Sequence, residues 1–144
     1  MVTLPITLVT AGGAAIINFW LAMRVGKARQ ASGVSIGDGG DQRLIARMRA
    51  QANFVEYAPF ILILIGLIEL TSGPSLWLWI VSVAFLLARV AHPFGMDGVR
   101  YCRMAGIAVT MLLLLGLGLY AIALPLRAGS VASAPSMEVA PPRG

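Results

Sequence analysis

Four long apolar runs separated by short polar connections leave this chain few ways to fold. The runs are Leu4 to Met23, Phe54 to Leu70, Leu76 to about Val90, and Ile107 to Leu126. A helix of about 20 residues crosses the hydrocarbon of a bilayer, and flanking residues extend the shorter runs to that length. Strict alternation is absent, and an open sheet in lipid leaves its backbone unsatisfied, so strands are excluded. The spacing predicts an all-α membrane protein, a four-transmembrane-helix bundle occupying 1–126. Its helices are expected at about 4–25, 43–71, 75–93 and 103–126. Thr71-Ser72-Gly73-Pro74 reads as a tight turn and Ala31 to Gln42, with four glycines, as a mobile loop. The Ala-, Ser- and Pro-rich segment 127–144 is expected to be a disordered tail. Basic residues follow the first run instead of preceding it, so that run is read as a retained helix and not as a cleaved signal.

Charge sets the orientation. The formal net charge is +5, yet only 12% of residues are charged. The bases cluster between apolar runs without interleaved aromatics, which argues for membrane topology and against a nucleic-acid partner. Lys27, Arg29, Arg43, Arg47 and Arg49 lie in or beside the first connection, and Arg100 and Arg103 in the third; the second has none. Connections one and three are therefore expected at the cytoplasmic face of the membrane, with both termini outside. The single cysteine, Cys102, excludes an intrachain disulfide, and with one histidine no metal site is expected.

Ionisable groups inside a membrane helix are costly and usually face a protein interior or a watery cavity. The second helix enters the bilayer with Arg49, Gln51, Asn53, Glu56 and Tyr57. At 100° per residue, Arg49, Asn53 and Glu56 fall within about 60° of one another, with Tyr57 flanking the strip. Pro59 then frees the carbonyl of Val55, which favours a bend. The strip fits a pocket wall or pairing between helices, and the two are compatible. Arg89 and His92 share a face of the third helix. Arg89 suits either the pocket or an ion pair with Glu56, and His92 either the pocket or a cap. Asn18 suits an interhelical hydrogen bond. Arg24 suits snorkelling or the pocket, and Arg100 and Arg103 suit anchoring or the pocket. Glu69, at the other end, reads as an interfacial group. A mouth of arginines with one carboxylate fits a small zwitterionic or anionic ligand.

The run Arg49-Ala50-Gln51-Ala52-Asn53-Phe54-Val55-Glu56-Tyr57-Ala58-Pro59-Phe60 resembles the signature of the membrane-associated proteins in eicosanoid and glutathione metabolism. Arg89-Val90-Ala91-His92 resembles that family's third-helix element, and Gly37-Asp38-Gly39-Gly40-Asp41 its bacterial branch. The resemblance covers about residues 4–126. It implies a homotrimer in membrane lipid, with glutathione as co-substrate bound between subunits on the cytoplasmic side. It implies transfer to, or reduction of, a hydrophobic small-molecule substrate: an electrophile or lipid hydroperoxide. Under it, Arg49, Gln51, Asn53, Glu56 and Tyr57 bind glutathione, with Arg24 or Arg29 from the first helix and Arg89 and His92 from the third. Arg103, or alternatively Arg100, stabilises the thiolate. Met96 stands where several of the family's enzymes carry tyrosine, which keeps open a non-catalytic lipid- or partner-binding trimer.

Overall fold

The computed structural model describes residues 3–132, with side chains described through 126. Regular structure among these residues consists of four helices: α1 (Pro5–Ser32), α2 (Gln42–Ser72), α3 (Leu76–Met96) and α4 (Arg100–Ala132). All four are long and apolar enough to cross a membrane.

The helices alternate in direction. The start of α1 meets the end of α2, where Glu69 accepts hydrogen bonds from Ile6 and Thr7. Arg24 near the end of α1 binds Asp97 just past the end of α3. Trp77 at the start of α3 stacks edge-on against Tyr120 late in α4. The closest pairs are α1 with α2 and α3 with α4, while α1 and α4 are not packed together and occupy opposite corners. The core between them is built from Ile6, Leu21, Ile61, Ile65, Phe85 and Leu117, among others. Large apolar side chains such as Phe19, Ile63, Leu87 and Leu115 stand exposed on the outside. In water such a surface would be a liability; in lipid it is the solvated face.

Helix ends and membrane-span ends differ, and the sequence reading conflated them. α1 was expected to stop near residue 25 but continues to Ser32. Charge ends the apolar run without ending the helix, because Lys, Arg, Ala and Gln are good helix formers. The stop comes at Gly33, which takes the left-handed conformation (φ 68°) and donates to Arg29 O. At 1.5 Å per residue, α1 is about 42 Å long, more than the hydrocarbon core. The first connection is correspondingly shorter, 33–41, and Asp41 caps α2 by accepting from Leu44 N at 2.8 Å. α3 runs past Pro93 to Met96, and α4 begins at Arg100, earlier than expected. α4 also continues through Pro125 to Ala132, so the first six residues of the expected tail are helical. The rest of that tail, 133–144, lies outside the described residues.

Glu69 has a role that the sequence did not assign. It is 2% exposed, because the first turn of α1 lies over it. α1 has no side-chain cap of its own. Glu69 supplies one from α2, accepting from Ile6 N at 2.9 Å, Thr7 N at 2.7 Å and Thr7 Oγ1 at 2.6 Å. A carboxylate there also meets the positive end of the helix dipole. Glu69→Ala leaves those donors stranded and is expected to cost about 1–3 kcal/mol, read as a lower melting midpoint in detergent. Glu69→Gln keeps one acceptor and should recover part of the loss; an unshifted midpoint for the alanine variant would show the cap to be idle.

Candidate functional site

The end of the bundle where connections one and three lie is tied by two arginine clamps. Asp97 binds Arg24, and Arg47 Nε stands 3.9 Å from its other oxygen. Arg47 also donates to Arg24 O at 3.2 Å. Arg24 lies over the Trp20 ring, 5.0 Å from its centroid, and Trp20 packs against Phe94. Arg29 folds back on the glycine loop, donating to Gly37 O at 2.8 Å. The structure thus places both first-helix arginines in contacts within the chain, and neither lines the cleft described next.

That cleft opens between α2, α3 and α4 and has a volume of about 300 Å³. From α2 come Arg49, Ala52, Asn53 and Glu56; from α3 His92 and Met96; from α4 Arg103 and Ile107. Arg49, Asn53 and Glu56 meet there because their 4- and 3-residue spacings follow the helical repeat. Arg103 reaches it because α3 and α4 touch backbone to backbone. Gly95 packs against the backbone of Arg103, and a Cβ on Gly106 would stand 2.8 Å from Ala88 O. Small residues permit such approach in a membrane bundle. A larger hollow of about 430 Å³ beside Trp77 and Tyr120 carries no charged group.

Arg89 lies beneath the cleft, 1% exposed. Its guanidinium donates to Asn53 Oδ1 at 3.0 Å and to Thr110 Oγ1 at 3.4 Å, and its Cζ is 5.3 Å from the Phe54 ring centre. Thr110 in turn donates to Gly106 O at 2.7 Å. Of the two readings of Arg89, the ion pair with Glu56 is not formed: Glu56 is exposed and lines the cleft. Arg89 orients Asn53 and joins three helices.

Gln51 and Tyr57 are half-buried and do not line the cleft. Arg100 lines an adjoining groove of about 430 Å³ with Met104 and Ala108; Arg103 and Ile107 border both spaces. The Asn18 side-chain oxygen is buried without a hydrogen-bond partner, and the residue lines a small hollow between α1 and α2. Sequence reasoning missed Thr110, Asp97 and Ile107. A threonine within an apolar run gives little signal, but Asp97 is a rare acidic residue beside several bases and was open to pairing.

These features define a multi-pass membrane protein with a polar cleft at one end of a four-helix bundle. The chain belongs to the MAPEG family, whose sequence model matches residues 7–123. That family includes glutathione transferases and peroxidases as well as other members. No curated protein matches the sequence closely enough to count as a relative.

The bridge through Arg89 depends on a planar fork that reaches two acceptors at once. Arg89→Lys reaches at most one and is expected to lower the melting midpoint by more than Arg49→Ala, since Arg49 is exposed and unpaired among the described residues. Thermal unfolding of both variants in the same detergent checks the order.

Proposed function

We propose that this protein is a membrane-embedded, glutathione-dependent transferase or peroxidase acting on a hydrophobic electrophile or lipid hydroperoxide. One observation carries the reading: Arg49, Glu56 and Arg103 converge on one cleft and form no ion pair among the described residues. Glutathione offers two carboxylates, an ammonium and a thiol. The Arg49 fork takes one carboxylate, and Glu56 accepts from the ammonium. Arg103 stabilises the thiolate, since a nearby cation favours that form. Holding thiol and electrophile together supplies much of the remaining acceleration.

Arg49 and Glu56 are exposed on the single chain. In this reading they are covered by a neighbour in a homotrimer, and Gln51 and Tyr57 enter the site across that boundary. The cleft faces the cytoplasm of a bacterial inner membrane, as the basic connections favour. The hydrophobic substrate comes from the bilayer along the groove bordered by Arg100 and Met104, and Arg100 is the alternative thiolate partner.

A non-catalytic lipid- or partner-binding trimer is the competing reading, and Met96 in the cleft favours it. Calorimetric titration with glutathione, with the thiolate followed by its ultraviolet band, separates the two. Wild-type protein is expected to bind and to form thiolate. Arg49→Ala and Glu56→Ala should each weaken binding by about tenfold or more, the loss of one charge-assisted contact. Arg103→Ala should abolish the thiolate band. Unchanged affinity in both α2 variants would remove the site; binding without thiolate would favour the non-catalytic trimer.

A further inference from the structure

Four arginines at this end of the bundle are engaged within the chain: Arg24 and Arg47 at Asp97, Arg29 at the glycine loop and Arg89 at Asn53. Arg100 and Arg103 are different. Both are exposed, and their guanidinium groups form no ion pair among the described residues. With Met104, Ile107 and Ala108 they line the groove of about 430 Å³ beside the polar cleft, and no acidic residue lines it with them. All five residues belong to α4, and their spacing puts them on one face of that helix.

The groove changes character along its length. The fourth apolar run starts at Ile107. At 1.5 Å per residue, Arg103 stands about 6 Å and Arg100 about 10 Å before that point. A headgroup layer is about 5–8 Å thick, so Arg103 lies within it and Arg100 at its outer edge. Ile107 and Ala108 lie where the hydrocarbon begins. Guanidinium forks take phosphate oxygens in pairs. Two such forks one helical turn apart, followed by an apolar wall, fit an amphiphile with its negative charge at the polar boundary. A soluble anion would leave the apolar half unused. A zwitterionic lipid carries its own cation beside the phosphate, which opposes the approach of two arginines.

We propose that this groove binds an anionic phospholipid of the bilayer. Its phosphate sits between Arg100 and Arg103, and one acyl chain follows Met104, Ile107 and Ala108. The lipid then occupies the route that the reading above gives to the hydrophobic substrate, and competes with that substrate; this consequence alone rests on that reading.

The full chain in detergent, without glutathione, is titrated with phosphatidylglycerol and with phosphatidylcholine of the same acyl chains, and bound lipid is counted by native mass spectrometry. One phosphatidylglycerol per chain is expected to remain at concentrations where phosphatidylcholine is lost. Arg100→Ala and Arg103→Ala should each weaken its retention about fivefold, the effect of one basic contact with an anionic headgroup. Lys27→Ala is the control: it removes an exposed charge about 6 Å beyond Met23 on α1, at the opposite corner of the bundle from α4. Screening over that distance should keep its effect under about twofold. Ala108→Trp fills the apolar half without altering charge and should also weaken retention. Equal retention of the two lipids, or equal losses in the lysine and arginine variants, overturns the site and reduces these bases to a diffuse field. Displacement by millimolar glycerol phosphate, the headgroup without its tails, overturns it in favour of a soluble anion. Should the variants not fold, wild-type protein with a diazirine-bearing phosphatidylglycerol decides: crosslinks within 100–108 support the site, and crosslinks elsewhere overturn it. In phosphatidylcholine vesicles with a rising share of phosphatidylglycerol, KM for chlorodinitrobenzene should rise. A flat KM with the lipid bound overturns the competition and leaves the site standing; a protein that binds no glutathione overturns the reading above and leaves the site untouched.

Discussion

A guanidinium held where lipid would exclude it organises this bundle. Burying an isolated charge costs several kcal/mol even after relaxation, and the cost falls only when its donors are met. Arg89 is met by Asn53 from α2, Thr110 from α4 and the face of Phe54. Each partner is neutral, so two of the guanidinium nitrogens are met while the positive charge is not cancelled, and the buried Nε has no hydrogen-bond partner among the described residues. That charge sits directly beneath Asn53, which lines the cleft. The same contacts that hold three helices in register therefore leave a positive field under the site, which favours an anionic occupant.

The two ends of the bundle are stabilised by different means. At one end a single carboxylate, Glu69, satisfies the leading amides of α1. At the other, Asp97 gathers Arg24 and Arg47 and so fixes the ends of α1, α2 and α3 relative to one another. Backbone donors at a helix end within an apolar medium have few alternatives to such a partner. The cleft lies at the Asp97 end, where two of its walls, α2 and α3, are tied by that carboxylate and the third, α4, is joined to them through Arg89.

Much of this was legible in the sequence because lipid imposes strong rules. Apolar length gave the number of helices, and the helical repeat brought Arg49, Asn53 and Glu56 onto one face. Pairing was less legible. Glu56 was a candidate partner for Arg89 because opposite charges attract, but the structure gives Arg89 neutral acceptors instead. Such a choice depends on how deeply α3 and α4 interlock at Gly95 and Gly106, and helical periodicity carries no information on that distance. The capping role of Glu69 was hidden for a related reason: its burial is produced by α1, 62 residues away in sequence. Helix ends were misplaced because hydropathy reports where lipid stops, and the backbone can remain helical beyond it.

The acidic residues show by their occupations which of them is available for chemistry. Asp38 accepts from Gly40 N, Asp41 caps α2, Glu69 caps α1, and Asp97 binds two arginines. Among the described acidic residues, Glu56 alone has no partner, and it sits in an apolar helix with Arg49 on the same strip. A carboxylate kept in a membrane helix without a structural contact is a poor choice for stability, since an apolar residue there would pack as well without the insertion cost. Arg49 and Arg103 stand in the same position on the cationic side. Three ionic groups around one cleft, each left out of the network that ties the helices, are complementary to a ligand carrying both signs of charge. Structural glue would have joined them to one another or to a neighbouring helix of the same chain, as it joins Arg24 and Arg47 to Asp97.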